Sequence, residues 1–371
     1  MSRFERNGYR TIEYTISKPV IGKLKSAWQD HPISAYPDTF SGRGIVMCAG
    51  GLSYFTCAWI AIRKLRALGC QLPIELWHAG NELSPDIIQE LEQYNVTCRD
   101  FFDYDNIGLK GCMLKPLSIV RSSFKEVFFL DADNICVSDP TFLFETAAYK
   151  EYGAIFWPDF WKTAKDNPIW KIIGIPYEDT FEQESGQMVI DKERCWQPLN
   201  LSLYFNRLTD IYYRLLMGDK DTFRFAWRAF HQPFYMVQTP VATCGYMNGH
   251  QFMGNTMVQH DLEGKILFLH RNLVKWDITL PREICWEKIK SFGKDAGEQI
   301  RIFTTPSNTH NFMDFEGAYM ETDFREQLGD LEHDCLAMLQ ELRDAPFYKK
   351  FLLYTHLARN RFMGNIAFQL T

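Results

Sequence analysis

The stretch Phe124-Lys-Glu-Val-Phe-Phe-Leu-Asp-Ala-Asp133 decides the fold. Its centre, Val127 to Leu130, is apolar at every position rather than at alternate ones, the pattern of a strand covered on both faces within a parallel sheet. Two acids separated by the small Ala132 follow at once. Residues i and i+2 of a strand project to one side, so the carboxylates of Asp131 and Asp133 are expected to converge on one divalent cation. Oxygen ligands of this kind suit Mg²⁺ or Mn²⁺, which keep positions open for phosphate oxygens. Ligands of open α/β sheets bind outside the carboxyl ends of such strands. The blander alternative is that Asp131 caps a turn and Asp133 is solvated. Two other Asp-x-Asp triplets, Asp103-Tyr-Asp105 and Asp219-Lys-Asp221, have no such strand in front of them. Chance alone gives about one triplet in a chain of this size, so the preceding strand carries the weight. Asp103 and Asp105 read as a loop.

On either side, short β-rich runs alternate with helical stretches: strand Ile45–Cys48, helix Ser53–Leu68, strand Ile74–Trp77, helix Ser84–Tyr94, and a helical segment before Ser122. Strands at Ala154–Trp157 and Met188–Ile190 come later. Such alternation implies an α/β fold with a doubly wound, mostly parallel sheet and flanking helices. Ser53 and Ser84-Pro85 are placed to start their helices, and Gly69 to end the first. Residues 1–43 read as a lead-in with one helical piece at Ile21–Trp28. The main domain is expected at 44–280, with a first half to 135 and a second from 136. A mainly helical extension is expected at 281–371, where Phe324, Leu328, Leu331, Cys335, Met338 and Leu342 recur at helical spacing.

Composition narrows the function. With 46% hydrophobic residues, the 371-residue chain can bury a large core, which rules out disorder for most of it. A net charge of −6 provides no basic field for nucleic acid. The ten cysteines form no C-x-x-C pair, and several sit in apolar runs, so neither a zinc site nor a disulfide framework is expected. No apolar run approaches the ~20 residues of a membrane span, and the charged N-terminus lacks a signal-peptide core. The expectation is a soluble, cytoplasmic chain, or a Golgi-lumenal one if an anchor has been trimmed away.

The segment ending in Asp131-Ala-Asp133 resembles the metal-binding strand of nucleotide-sugar-dependent glycosyltransferases of the GT-A fold, the nucleotide-diphospho-sugar transferases. Further segments, in order, are similar to the fungal Golgi α-1,2- and α-1,3-mannosyltransferase family: Gly44-Ile-Val-Met-Cys-Ala-Gly-Gly51, Leu76-Trp-His78, Glu184-Ser-Gly-Gln-Met-Val-Ile-Asp-Lys192, Gly218-Asp-Lys-Asp-Thr-Phe223, Met257-Val-Gln-His-Asp261 and Phe268-Leu-His-Arg-Asn272. The likeness covers roughly residues 44–276, and its departures from the family are a missing membrane anchor and a C-terminal extension; it implies that 44–280 is a catalytic domain, 44–135 its nucleotide-binding half and 136–280 its acceptor half.

The resemblance implies a metal-dependent hexosyltransferase that moves mannose from GDP-mannose, with retention, onto a hydroxyl of a glycan or glycosylated acceptor. UDP-hexose is the alternative donor. A sugar-nucleotide pyrophosphorylase or a non-catalytic carbohydrate-binding relative are the readings of another class. Ala49, Gly50, Gly51, Lys115, Asp131, Ala132 and Lys275 are expected to bind the donor; Asp131, Asp133 and His270 to hold Mn²⁺ or Mg²⁺, with His260 competing for the histidine place; and Gln187, Asp219 and Asp221 to serve catalysis. For several of these a structural role is the alternative: a solvated helix lysine, equally open, for Lys115, a turn at Ser185-Gly186 before Gln187, and a helix N-terminus at Asp219 and Asp221, where function is favoured. Aromatic faces suit sugar rings, so Trp157, Trp161, Trp170 and Tyr177 are candidates for an acceptor groove, most of them serving as packing. Replacing Asp133 is expected to abolish transfer and spare the fold, since a loop carboxylate facing solvent contributes little stability.

Overall fold

The computed structural model describes residues 2–104, 111–304 and 311–356; Asp105 lies outside them. Four parallel strands form the heart of the main sheet, in the spatial order Val96–Asp100, Ile74–His78, Arg43–Cys48, Glu126–Leu130. The chain therefore leaves Arg43–Cys48 in one direction through two strands and returns on its other side with Glu126–Leu130. Between the carboxyl ends of these two strands lies the switch point at which doubly wound sheets take their ligands. The unbroken apolar run explains the central placement: Val127 and Phe129 enter the core on one face, Phe128 and Leu130 that on the other.

Beyond Glu126–Leu130 the sheet continues with the antiparallel strands Phe181–Asp191 and Ala154–Thr163. The N-terminal strands Ser2–Phe4 and Tyr9–Ile12 extend it, Tyr9 and Arg10 pairing in parallel with Lys162 and Thr163. The lead-in is thus part of the sheet, and Arg10 locks it there through a fully buried ion pair with Glu182 at 2.7 Å. The first crossover helix spans Gly51–Ala67 with Gly50 at its N-cap, so Ser53 lies inside the first turn rather than capping it. Gly69 follows with φ of +87°, as its position after the helix requires. Ser84 occupies the N-cap position before Pro85, yet its hydroxyl caps nothing.

A second sheet, antiparallel throughout, was not anticipated from periodicity. Its order is Gln299–Thr304, Phe312–Gly317, Gln251–His260, Ala242–Asn248, Lys288–Phe292, Tyr319–Asp323, and Ile266–His270 joins Gln251–His260 to the short strand Asn134–Cys136. The segment after residue 280 hence contributes four strands before its helices begin at Phe324. The apolar spacing from Phe324 to Leu342 is split into two helices, Phe324–Leu328 and Leu331–Asp344, by Gly329 at φ of +60°. A further helical stretch, 346–356, follows. The longer helix lies against Gly51–Ala67, with Lys64 and Asp334 paired at 3.2 Å. The nine cysteines whose side chains are described are all free thiols. Among the described residues, no helix is long and apolar enough to cross a membrane.

One buried cation gives the fold a pH signature. Lys192 donates to the carbonyl oxygens of Val120 at 3.1 Å and Ser122 at 2.8 Å and lies over the ring of Phe40. Burial pushes its ammonium down to about 7, from 10.5 in an ordinary environment, with only Glu75 pulling it back. Between those values the unfolded chain binds more protons than the folded one, so this group's contribution to stability rises with pH across that window. Urea unfolding of wild type and Lys192→Met at about pH 6.5 and about pH 9.5 should show their stability difference moving in the wild type's favour at the higher pH. A difference independent of pH would mean that the amine does not titrate in the folded protein.

Candidate functional site

The switch point holds a crevice of 360 Å³ lined by Ala49, Gly50, Lys115, Asp131, Ala132, Asp133, Asp219, His270 and Lys275, together with the rings of Tyr54, Trp77 and Phe101. Nine of the residues singled out from sequence therefore meet in one place. Asp131 to Asp133 form a turn, not a strand, so the two carboxylates do not share a pleat. The amide of Asp131 donates to Gly186 O at 2.8 Å, and the amide of Asn134 closes the turn on Asp131 O at 3.1 Å. The chain then enters Asn134–Cys136 and so passes from the first sheet to the second. Register does the rest: Asn134 lies opposite His270 at the end of Ile266–His270, which sets the imidazole beside the acidic turn.

The two acids face different partners. Asp131 receives Lys115 Nζ at 2.9 Å, and the same ammonium reaches Asp219 at 3.1 Å and Ser185 Oγ at 2.9 Å. Lys115 is thus a buried cation held among carboxylates rather than a solvated helix residue. Asp133 pairs with His270 Nε2 at 3.2 Å and with Lys275 Nζ. It is only 5% exposed, which corrects the expectation of a carboxylate facing solvent. Burial pushes the Asp131 carboxyl up to about 6, with Lys115 and His270 pulling the other way. Burial acts on Asp133 in the same sense, yet His270 and Lys275 outweigh it and hold that carboxyl well below the usual range. Burial would lower His270, but Asp133 and Glu184 raise it to about 10.

Glu184 is the residue that sequence reasoning missed. Its Oε1 accepts from Gly186 N at 2.7 Å and lies 3.4 Å from His270 Nδ1, a buried nitrogen with no hydrogen bond. Ligand atoms of Asp131, Glu184 and His270 lie within 4.8 Å of one another. Two hard oxygen donors and one imidazole, whose Nδ1 is left buried without a hydrogen bond, form a donor set that fits a divalent cation of the Mn²⁺ type. The cluster differs from the expected one by exchanging Asp133 for Glu184. Glycine at 186 is what permits it, since a Cβ there would come within 2.6 Å of His270 Nδ1 and 3.0 Å of Glu184 Oε1. Gly186→Ala should therefore displace the imidazole and weaken Mn²⁺ binding roughly ten- to a hundredfold, measured by calorimetric titration with the metal.

Other expected residues lie elsewhere. Gln187 is fully buried, its Oε1 accepting from Asn134 Nδ2 at 2.6 Å, because its register partner is Leu130 in mid-sheet. It braces the acidic turn from behind and does not line the crevice. Asp221 is also fully buried, bound to Arg224 at 3.0 Å and to the amide of Gln183 at 3.1 Å. The helix Lys220–Ala229 turns it inward, away from Asp219. Gly51 does not line the crevice; its φ of +65° is what calls for glycine at the start of its helix. Gly50 does line it, and a Cβ there would strike Glu82. His260 lies away from the acids, its carbonyl accepting from Trp157 Nε1 at 2.7 Å, and burial lowers its imidazole to about 4. It does not compete with His270.

Beside the crevice is a second cavity of 360 Å³, and the two share Asn272. Glu184 lines this second cavity while His270, 3.4 Å from it, lines the crevice, so the cluster stands at the junction. Of the aromatic candidates only Trp161 lines it; Trp157 and Trp170 are core residues, and Tyr177 bonds to Asp179 at 3.0 Å.

Residues 42–183 and 176–261 match the family described as "Mannosyltransferase putative". The chain is 29% identical over 290 residues to alpha-1,2-mannosyltransferase MNN5 of Saccharomyces cerevisiae, covering 60% of this chain and 50% of that protein. It is 29% identical over 293 residues to alpha-1,2-mannosyltransferase MNN21 of Candida albicans, covering 62% of this chain and 44% of the relative. The chain spans about half the length of these curated relatives. Among solved structures, the glycosyltransferase GlyE of Streptococcus pneumoniae TIGR4 aligns with 53% of this chain and 46% of its own at 16% identity and a TM-score of 0.37. The family match extends over more than half of the sequence and takes in both acids of the turn, and the chain belongs to this mannosyltransferase family.

Proposed function

We propose that the chain is a metal-dependent hexosyltransferase that moves mannose from GDP-mannose, with retention, onto a hydroxyl of a glycan or glycosylated acceptor. The observation that carries this reading is the crevice at the switch point, where Asp131 and His270 lie beside Lys115 and Lys275, with Glu184 near enough for the three donors to hold one cation. When bound, the metal would supply Lewis-acid charge to the diphosphate of the donor. Lys275, 24% exposed at its side chain, is free to swing from Asp133 toward a phosphate and neutralise charge on the departing nucleotide. Trp77 and Phe101, with ring centroids 5.1 Å apart, offer apolar faces to the nucleoside, and Ala49 and Gly50 allow close approach of its phosphates to the backbone. Lys115 orients Asp131 and Asp219, and Asp219 is then placed to accept a hydroxyl of the donor sugar. Gln187 and Asp221 act as positioning residues behind the strands that carry the site.

Incubation with a panel of GDP- and UDP-hexoses, Mn²⁺ and mannoside acceptors, followed for free nucleotide and glycan product, tests the reading. GDP-mannose should give acceptor-dependent release. Release from a UDP-hexose alone would replace the donor, and no release from any donor would overturn the assignment.

A further inference from the structure

The crevice and the cavity beside it differ in where their walls come from. Most of the donor-side lining lies within residues 42–261, the segment shared with the family. The second cavity draws Phe4 from the N-terminal strand and Phe303 and Met313 from the C-terminal strands, all outside that segment. Phe4, Trp161 and Phe303 form one cluster, with centroids 4.7 Å apart for Phe4 and Trp161 and 5.3 Å apart for the other two pairs. Facing these rings are Asp159 and Lys220, joined at 3.0 Å, and Asn272. An apolar wall opposed by a few fixed donors and acceptors is the composition of a small-molecule subsite. A pyranose matches it, having a C–H face for an aromatic ring and hydroxyls for a carboxylate, an ammonium and an amide.

We propose that this cavity is the acceptor subsite, that it takes the terminal hexopyranose of a glycan, and that Phe4 and Phe303, contributed by strands on either side of the family segment, set acceptor specificity. The proposal rests on the hexosyltransferase reading and adds the place and residues of acceptor binding. Asn272 and Glu184 open the cavity toward the donor crevice, so an acceptor hydroxyl at this end meets the donor sugar. Phe303 is 37% exposed, so its truncation leaves the core intact, which suits it better for testing than the buried Trp161.

The experiment compares wild type with Phe4→Ala and Phe303→Ala in two assays. Calorimetric titration with methyl α-mannoside and an α-linked mannobiose reads acceptor affinity without turnover. Steady-state transfer from GDP-mannose reads both Michaelis constants. Expected is a loss of acceptor affinity and a rise in acceptor KM of roughly fivefold or more, with the donor KM and acceptor-independent donor hydrolysis changed less than about twofold. Unchanged acceptor constants in both variants, or no mannoside binding by wild type, overturn the subsite. Absence of donor turnover by wild type, with mannoside binding weakened in the variants, would instead sink the transferase reading and leave the sugar subsite standing.

Discussion

Asp133→Asn is expected to reduce transfer by about a hundred- to a thousandfold. The acid holds the charges of His270 and Lys275 together, so an uncharged amide of the same size releases both at once. The imidazole then has Glu184 at 3.4 Å and the more distant Asp131 at 3.9 Å to orient it, and the ammonium loses the anchor from which it would reach a phosphate. Because Asp133 is buried, the change also costs about 1–3 kcal/mol of stability. Nucleotide release at saturating donor and urea unfolding measure the two effects separately. Turnover near the wild-type rate would remove Asp133 from the site whatever happened to stability.

Lys115→Met should be damaging in a different way. Its ammonium is the shared counter-charge of Asp131 and Asp219, and it ties Ser185 to both. Removing one partner of a buried ion cluster typically costs about 3–5 kcal/mol, because the remaining charges stay desolvated. Deprived of Lys115, the Asp131 carboxyl, already pushed up to about 6 by burial, moves higher still and becomes a poorer anionic ligand. Transfer should fall about a hundredfold, and Lys115→Arg should recover part of the stability but less of the activity, since a planar guanidinium cannot serve three converging oxygens as an ammonium does. Equal loss of activity and stability in both variants would argue for a purely structural lysine.

How much of this was readable beforehand depends on how strongly each residue's neighbours in sequence betray its surroundings. The parallel strands could be read because burial on both faces leaves an unbroken apolar run, as in Val127 to Leu130. The second sheet could not: Lys288–Phe292 and Tyr319–Asp323 are rich in charge, and Tyr319 to Glu321 are exposed, so no face is consistently apolar. In the site, Asp131 and Asp133 stand out by the apolar strand in front of them, and Lys115, His270 and Lys275 only through resemblance; the fold places all five around one crevice. Glu184 stands in a family motif but its role is hidden there, because Glu182-Gln-Glu-Ser185 looks like solvated surface, whereas all four are buried in a strand where Glu182 pairs with Arg10 and Lys220 and Glu184 lies 3.4 Å from His270. The converse error fell on Gln187 and Asp221, polar residues that read as functional but are turned into the interior by strand register and helix phase.

The acidic turn is also the strap between the two sheets: Leu130 ends a strand of one, and Asn134 begins a strand of the other. A ligand that grips Asp131 from one side and His270 from the other therefore fastens two layers that are otherwise joined here by the three register pairs of a short strand. Amide hydrogens of Asn134 to Cys136 should exchange with deuterium more slowly once the crevice is filled, which makes this strand a label-free reporter of occupancy.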